Sequence, residues 1–345
     1  MKLAIHERKG SFSDRWIEFC QDRRIPYLAV DIFSDALFDT LRAEDVTALL
    51  AHPRMGDRRS TLAAHAIIQS VAISGLCEVF PSPADFWHFD NKIAQKYLFD
   101  ALNIPTPRTH VFLRREKALE WAEQAEFPWV FKLKAGAGSV NVSLVRNKRE
   151  ATRKINRMFG RGYSPHAGAN QDIVNKFAKH NRNRDWKAVF ERIPNTFKNQ
   201  LRKVRELQNE RGYAYFQEFI PDNDHDTRVT IIGDRAFAFR RMTRPDDFRA
   251  SGSGSIDHAA EKIESAYIKL AFDAANRLGA NCVAFDFLRD RQSRQPLIVE
   301  MSYAFSANAV FQCSGHWRSD LTWQEGQMWP QDAILDDVLQ KVRIT

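Results

Sequence analysis

Short apolar runs alternate with helix-spaced stretches over the first eighty residues. KLAIHE (2–7) and PYLAVDIF (26–33) read as strands. Between them SFSDRWIEFCQDRRI places Trp16, Phe19 and Cys20 on one helical face, with Ser13 as a candidate N-cap. VTALLAHPR and STLAAHAIIQSVAISGL continue the strand–helix alternation. This rhythm predicts a small open α/β domain ending near Pro81–Pro83.

In FDNKIAQKYLFDALNIPTPRTHVF, Asp90 is expected to cap a helix with Ile93, Tyr97 and Leu98 on its apolar face. Asn103 and Pro105 stop it. A helix (REKALEWAEQA), a strand (PWVFKLK), a Gly-rich loop (AGAGSVNV) and another strand (SLVRN) follow. Residues 150–212 are polar and mostly helical in pattern, with Phe197, Leu201, Val204 and Leu207 forming one stripe. Strands return at AYFQEFI, DTRVTIIGD and RAFAFRRM, with a tight hairpin at Gly233–Asp234. A long helix, AAEKIESAYIKLAFDAANRLG, is C-capped by Gly279. Two apolar runs, VAFDFL and LIVE, then flank the polar turn RDRQSRQ. The tail WPQDAILDDVLQKV reads as a docking helix.

At 345 residues the chain is expected to hold two or three domains. Cys20, Cys77, Cys282 and Cys313 are scattered without CxxC or zinc spacing, as in a protein of a reducing compartment. No apolar core of a signal peptide stands at the start, and AAHAIIQSVAISGL falls short of the roughly 20 apolar residues of a membrane span. A cytoplasmic protein is the expectation. The net charge of +8 is concentrated: residues 146–211 hold 18 Lys/Arg against 6 Asp/Glu. That segment has few aromatics and no recognisable nucleic-acid module, so nucleic acid is not the expected partner. A rim that attracts an acidic partner suits it better.

Four stretches carry chemistry. Asp286 and Glu300 lie in the two final apolar runs, about one strand spacing apart if the polar turn is a hairpin. Their repulsion is relieved by a divalent cation such as Mg²⁺ or by arginines such as Arg289 and Arg294. Lys132 and Lys134 precede Gly136, Gly138 and Ser139, a loop whose backbone suits phosphate or simply forms a hairpin tip. YFQEFIPDNDHDTRVTI offers a strand end for an adenine edge and Asp226 for ribose hydroxyls, or an ordinary solvated loop. FRRMTRPDDFRASGSG supplies Arg240, Arg241, Arg244 and Arg249 for an anion or for solvent.

Their order is more specific than any one of them. Lys92, Lys132, the Gly-rich loop, QEFI, DTR, an arginine followed by FR, and finally Asp286 and Glu300 make a series that resembles the ATP-grasp superfamily from about residue 88 to 302. The wording is most similar to ribosomal-protein glutamate ligases, with GAGSVNV and EMSY also similar to ATP-grasp proteins of polysaccharide pathways. The resemblance implies an α/β (α+β) architecture. A small Rossmann-like domain (1–85) would precede an ATP-grasp region (86–345). That region would comprise subdomains at about 105–150 and 212–345, with a basic helical insertion at about 150–211. It implies ATP and Mg²⁺ (or Mn²⁺) as cofactors. Lys92 and Lys132 would contact phosphates, with Lys132 also near adenine, and Gly136, Gly138 and Ser139 would close over them. Gln217, Glu218, Phe219 and Ile220 would form the adenine hinge, and Asp226 would hold ribose. Arg228, Arg241 and Arg249 would act on the transferring phosphoryl group or the acceptor carboxylate. Asp286 and Glu300 would hold metal, with Ser302 where the family places an Asn, and Asn308 as a substitute.

The implied activity is an ADP-forming carboxylate–amine ligase working through an acyl phosphate. Its acid would be a small molecule, a sugar carboxylate or a peptide. A phosphotransferase on the same fold and a non-catalytic nucleotide- or polyanion-binding protein are the alternatives.

Overall fold

The computed structural model describes residues 1–53, 58–135, 141–164, 209–244, 247–250, 252 and 254–344. They form two compact units. The first comprises Met1–Phe89, Leu98–Pro105 and Asp222–Thr345; the second comprises Asp90–Tyr97 and Thr106–Pro221.

The first unit opens with the expected strand–helix alternation. Strands β1 (Leu3–His6), β2 (Tyr27–Val30), β3 (Ala48–Leu50) and β4 (Glu78–Phe80) make a parallel sheet in the order β2-β1-β3-β4. Helices α1 (Phe12–Asp22), α2 (Leu37–Ala43) and α3 (Arg58–Ser74) connect them. β1 and β3 are fully buried, which is why they read as unbroken apolar runs rather than alternating ones. The N-cap of α1 is Ser11, which accepts from the Ser13 amide. Ser13 is instead buried, exchanging hydrogen bonds with the backbone of Arg8. A short helix α4 (Pro83–Phe86) follows, closed by a Ser82–Asp85 capping box.

The second unit begins at Asp90, just ahead of helix α5 (Lys92–Ala101), whose residues from Leu98 on belong to the first. Asn91, not Asp90, supplies its cap: Asn91 Oδ1 accepts from the Ala94 amide. The unit continues through β5 (Thr109–Phe112), α6 (Arg115–Gln124), β6 (Trp129–Lys132), β7 (Val142–Val145), α7 (Lys148–Phe159) and β8 (Ala214–Glu218). Its sheet is antiparallel, in the order β5-β8-β6-β7. Ala151, Ile155 and Met158 of α7 recur at helical spacing and pack with Trp129, Phe131 and Phe216. The Phe197–Leu207 stripe and the three loop residues Gly136, Gly138 and Ser139 lie outside the described residues.

The first unit resumes with β9 (His225–Ile232), β10 (Arg235–Met242) and β11 (Ile256–Asp257), then α8 (Ser265–Leu278), β12 (Cys282–Arg289) and β13 (Pro296–Ser302). Helix α9 (Ala307–Phe311), strands β14 (Gly315–Arg318) and β15 (Trp323–Glu325), and helix α10 (Pro330–Ile344) complete it. The larger sheet runs β13-β12-β9-β10-β14-β15, with β11 beside β10. Gly233, at φ 57°, turns the β9–β10 hairpin, and a Cβ there would meet Asp337 Oδ2 at 2.3 Å. Gly279 caps α8 at φ 64° in the left-handed region. The helix is shorter than its sequence pattern, because Ala260–Lys262 forms a separate 3₁₀ turn.

Two contacts fix the small sheet to the large one. Asp85 is buried, and its Oδ1 accepts from the Asn281 and Cys282 amides at 2.8 and 2.9 Å. Trp16 Nε1 donates to the Gln331 carbonyl in α10, and one continuous apolar core joins Trp16, Phe80, Phe239 and Leu335. Ile334, Leu335, Val338 and Leu339 of α10 are buried in that core, so the tail helix is packed on the first unit, as its sequence suggested.

Candidate functional site

The acids singled out in the sequence are cross-strand neighbours. Asp286 on β12 faces Glu300 on β13, with an irregularity in the pairing just after Asp286. On its other side Asp286 faces Arg228 of β9, and two residues along β9 Asp226 faces Arg241 of β10. Strand periodicity puts residues 226 and 228 on one face of β9, so these two pairs share a surface.

The pairs are linked. Arg228 Nε donates to Asp286 Oδ1 at 2.6 Å and its Nη2 to Oδ2 at 2.8 Å. Arg241 donates through Nε and Nη2 to both oxygens of Asp226, each at 2.6 Å. Nη2 of Arg241 also lies 2.7 Å from Asp286 Oδ2. Asp226, Arg241 and Asp286 are all buried. Burial would raise the Asp286 pKa, but the Arg228 and Arg241 guanidiniums outweigh it and hold the group below the usual carboxylate range. Burial, against the pull of Arg241, pushes Asp226 the other way. The partners of Asp286 are thus Arg228 and Arg241, and not Arg289 or Arg294, which the linear sequence brought nearest. Arg289 pairs with Glu264 on α8.

The remaining expected residues of this unit are placed as follows. Arg249 is held by Asp247, donating to both carboxylate oxygens from its own loop. Ser302 Oγ donates to the Ala304 carbonyl at 2.9 Å and accepts from the Ala304 amide at 3.1 Å, which closes a tight turn after β13. Asn308 is exposed on α9. Among the described residues no group of three or more His, Cys, Asp or Glu side chains forms a metal cluster. Two carboxylates remain a sufficient protein contribution for Mg²⁺, which fills its shell with phosphate oxygens and water. The donor set fits that ion.

In the second unit a backbone hydrogen bond brings the start of α5 to the chain that follows β6. The Lys92 amide donates to the Lys134 carbonyl at 3.0 Å, joining the start of α5 to the end of β6. Lys92 is 3% exposed and Lys132 7% exposed. Lys132 Nζ donates to Gln217 Oε1 at 2.6 Å, and Gln217 Nε2 reaches Thr109 Oγ1. Gln217, at the strand end where an adenine hinge was expected, therefore holds a buried ammonium through its side chain. The Glu218 amide is taken by the Arg108 carbonyl.

Sequence reasoning missed the stem of the Gly-rich loop. Glu210 accepts from the Lys134 amide (3.0 Å) and the Ala135 amide (3.2 Å), and Tyr213 OH donates to Glu210 while accepting from the Lys134 amide. Asn141 Nδ2 closes the far side on the Ala135 carbonyl. Burial, followed by the Glu210 charge, lifts the Tyr213 phenol far above its usual range, so it remains a donor. Glu210 and Tyr213 lie some seventy residues from the loop, and no local pattern signals the contact.

No protein-family model matches the chain, and no curated protein matches it. Solved structures do. A RimK domain ATP-grasp protein from Sphaerobacter thermophilus is 16% identical, covers 98% of this chain and 100% of its own, and superposes with a TM-score of 0.56. D-alanyl-alanine synthetase A from Vibrio cholerae is 11% identical over 100% and 99% of the two chains, with a TM-score of 0.60. The biotin carboxylase domain of 2-oxoglutarate carboxylase from Hydrogenobacter thermophilus, solved with magnesium ADP and bicarbonate, is 13% identical over 96% and 68%, with a TM-score of 0.57. The chain has the ATP-grasp fold, with a parallel-sheet domain at its N-terminal end. No described helix is long and apolar enough to cross a membrane.

Proposed function

We propose that the protein is an ATP- and Mg²⁺-dependent carboxylate–amine ligase that releases ADP and phosphate. The observation that carries this reading is the row Glu300–Asp286–Arg228 on adjoining strands of an ATP-grasp fold. Neighbours of the fold, a D-alanyl-alanine synthetase and a carboxylase domain solved with magnesium ADP, support the same chemistry.

In this reading Lys92 and Lys132 take phosphate oxygens of ATP. Their burial makes each charge count for more than it would in water. Gln217 holds Lys132 in position. Glu218, Phe219 and Ile220 line the adenine, and Asp226 serves the ribose side by fixing Arg241. Gly136, Gly138 and Ser139 supply backbone donors, carried on the stem that Glu210 and Tyr213 brace. Asp286 and Glu300 hold Mg²⁺, whose chemistry when bound is neutralisation of the phosphate oxygens. Arg228 and Arg241 keep Asp286 ionised and oriented, and Arg249 faces the acceptor or the transferring group.

The acid's carboxylate oxygen attacks the γ-phosphorus, the bond to the β–γ bridging oxygen breaks, and ADP leaves. The amine nitrogen then attacks the acyl carbon of the resulting acyl phosphate. Phosphate leaves with the C–O bonding pair, the nitrogen loses a proton, and an amide remains. Excluding water protects the acyl phosphate. The sequence's cytoplasmic reading, a sugar or peptide acid, and an acidic partner at residues 150–211 belong to the same proposal.

The test is release of ADP and phosphate from ATP over a panel of acids with and without amines. Phosphate release that requires both an acid and an amine, and is lost in Asp286→Asn, supports ligation. A stable phosphorylated product formed without amine would make the protein a phosphotransferase. No nucleotide binding at all would sink both.

A further inference from the structure

Helix α3 turns an uncharged face to solvent. Its inner residues Ala64, Ile68 and Val71 are buried in the core that also holds Leu49 and Phe86. On the outer side Leu62, Ala63, Ala66, Gln69, Ser70 and Ile73 are exposed. The run from Ser60 to Cys77 contains no Lys, Arg, Asp or Glu, although these make up 27% of the chain. The helix's one histidine, His65, stacks on Phe86, and burial favours its neutral form. Helices that pack on one face and meet water on the other ordinarily carry charge on the wet side. Glu18 of α1, Arg153 of α7, Lys269 of α8 and Lys341 of α10 follow that rule, all exposed. The outer face of α3 departs from it.

The exposed apolar residues are not scattered. Leu62 is 61% exposed and Ile73 77%, the highest of any large apolar residue among those described. With Ala66 and Gln69 between them they form one stripe at spacings of four, three and four residues, about 16 Å long. This is the spacing of a two-stranded helix seam. It is also the same in both chain directions. About a two-fold axis crossing the helix between Ala66 and Gln69, Leu62 meets the partner's Ile73 and Ala66 meets the partner's Gln69. Large residues close the two ends, and small ones let the helix axes approach at the middle. The two Gln69 amides fall on either side of the axis, and each both donates and accepts, so they can satisfy one another.

A two-fold contact requires such a self-complementary patch. Charge favours the same occupant. Two copies carry the same net charge of +8, and α3 offers a face that adds no repulsion of its own. A lipid surface fits less well, because interfacial helices bury a face of bulky residues, and the middle of this stripe is Ala and Gln.

We propose that α3 is a self-association surface, on which a second copy of this chain docks its own α3 antiparallel to form a two-fold dimer. The proposal does not depend on the ligase reading. A seam of about 16 Å is small beside the roughly 1,600 Å² of a standard interface, so the dimer is weak and concentration-dependent.

The experiment follows the full-length protein by sedimentation velocity from about 1 to about 300 μM, a range that covers weak dimers. The mass is expected to rise with concentration from one chain of 39.8 kDa toward two. Ile73→Glu changes an exposed position, so urea unfolding of the variant should match wild type. It sets a carboxylate against the partner's Leu62 twice per dimer, and association weakens about 100-fold. Register is read by mixing Leu62→Cys with Ile73→Cys under mild oxidation. The mixture forms an intermolecular disulfide, and neither variant does so alone. A chain that stays monomeric throughout the range, with or without vesicles of phosphatidylglycerol, overturns the proposal. So does a dimer that Ile73→Glu leaves intact, or a disulfide formed by Leu62→Cys alone, the mark of a parallel pair.

Discussion

Arg228 grips Asp286 across neighbouring strands, through two parallel hydrogen bonds of 2.6 and 2.8 Å. This is the bidentate geometry that arginine provides and lysine does not. Asp286 is buried and also touches Arg241, so removing Arg228 leaves a buried carboxylate with one cation shared between two acids. Arg228→Ala is expected to destabilise the protein by about 3 kcal/mol, read from urea unfolding. Arg228→Lys recovers only part of this. Equal stability of wild type and Arg228→Ala would show that the pair contributes nothing net.

Lys132 gives a prediction that separates binding from folding. Its ammonium is buried, with Gln217 as a neutral partner. Lys132→Met removes the charge and keeps an apolar chain of similar length, and urea unfolding of the variant reads any effect on the fold apart from binding. ATP binding, measured by calorimetry, is expected to weaken by about 10- to 100-fold, the worth of a hydrogen bond to a charged group. Unchanged affinity would remove Lys132 from the nucleotide site.

These two residues also show what the sequence reveals and what it hides. Lys132 ends a four-residue apolar strand, and a charge in such a place is visible in the linear chain. The Asp286–Glu300 register was legible because a polar turn joins their strands. The partner of Asp286 was not legible. Arg228 lies 58 positions earlier and reaches it only because β9 pairs with β12, and strand pairing between distant segments leaves no local mark. The same holds for Glu210 and Tyr213 at the loop stem, and for Tyr303 beside His52. Helix ends were legible within a few residues: Gly279 was found, whereas Ser11 and Asn91 took the caps assigned to Ser13 and Asp90, since adjacent Ser, Asp and Asn residues compete for that role.

Ser302 stands where the resembled family would have an Asn, and its hydroxyl is already used twice by Ala304. Ser302→Ala is expected to cost about 1 kcal/mol of stability, the worth of ordinary hydrogen bonds. The Mg²⁺ concentration giving half-maximal ATP turnover should then stay within experimental error of wild type. A marked rise in that concentration would instead make Ser302 a metal ligand.

Glu210 satisfies the Lys134 and Ala135 amides and takes the Tyr213 hydrogen bond. Glu210→Ala leaves the Ala135 amide and the Tyr213 hydroxyl without their acceptor and the Lys134 amide with Tyr213 alone, and about 2 kcal/mol of destabilisation is expected in urea. The Gly-rich residues 136–140 follow that stem directly in the sequence, so KM for ATP should rise more than kcat falls. Tyr213→Phe, which leaves both amides bonded to Glu210, should show the same pattern at smaller amplitude. An unaltered KM in both variants would detach the stem from nucleotide binding.

His52 makes stability depend on pH in a defined direction. In the folded protein burial, then the Arg8 charge, lowers its pKa from 6.5 to about 3. The unfolded chain therefore binds a proton as pH falls below 6.5, while the folded one does not until far lower. Unfolding becomes easier on acidification through that window, and the loss approaches about 1.4 kcal/mol per pH unit for this one ring. His88, lowered to about 4 by burial, acts with the same sign. Urea unfolding between about pH 7 and pH 5, above the range where most carboxylates titrate, isolates the histidines. His52→Phe should flatten the slope by the share of that ring. An identical slope in wild type and variant would mean that the native ring takes up its proton as readily as the unfolded one, and that Arg8 does not hold Nδ1 as an acceptor.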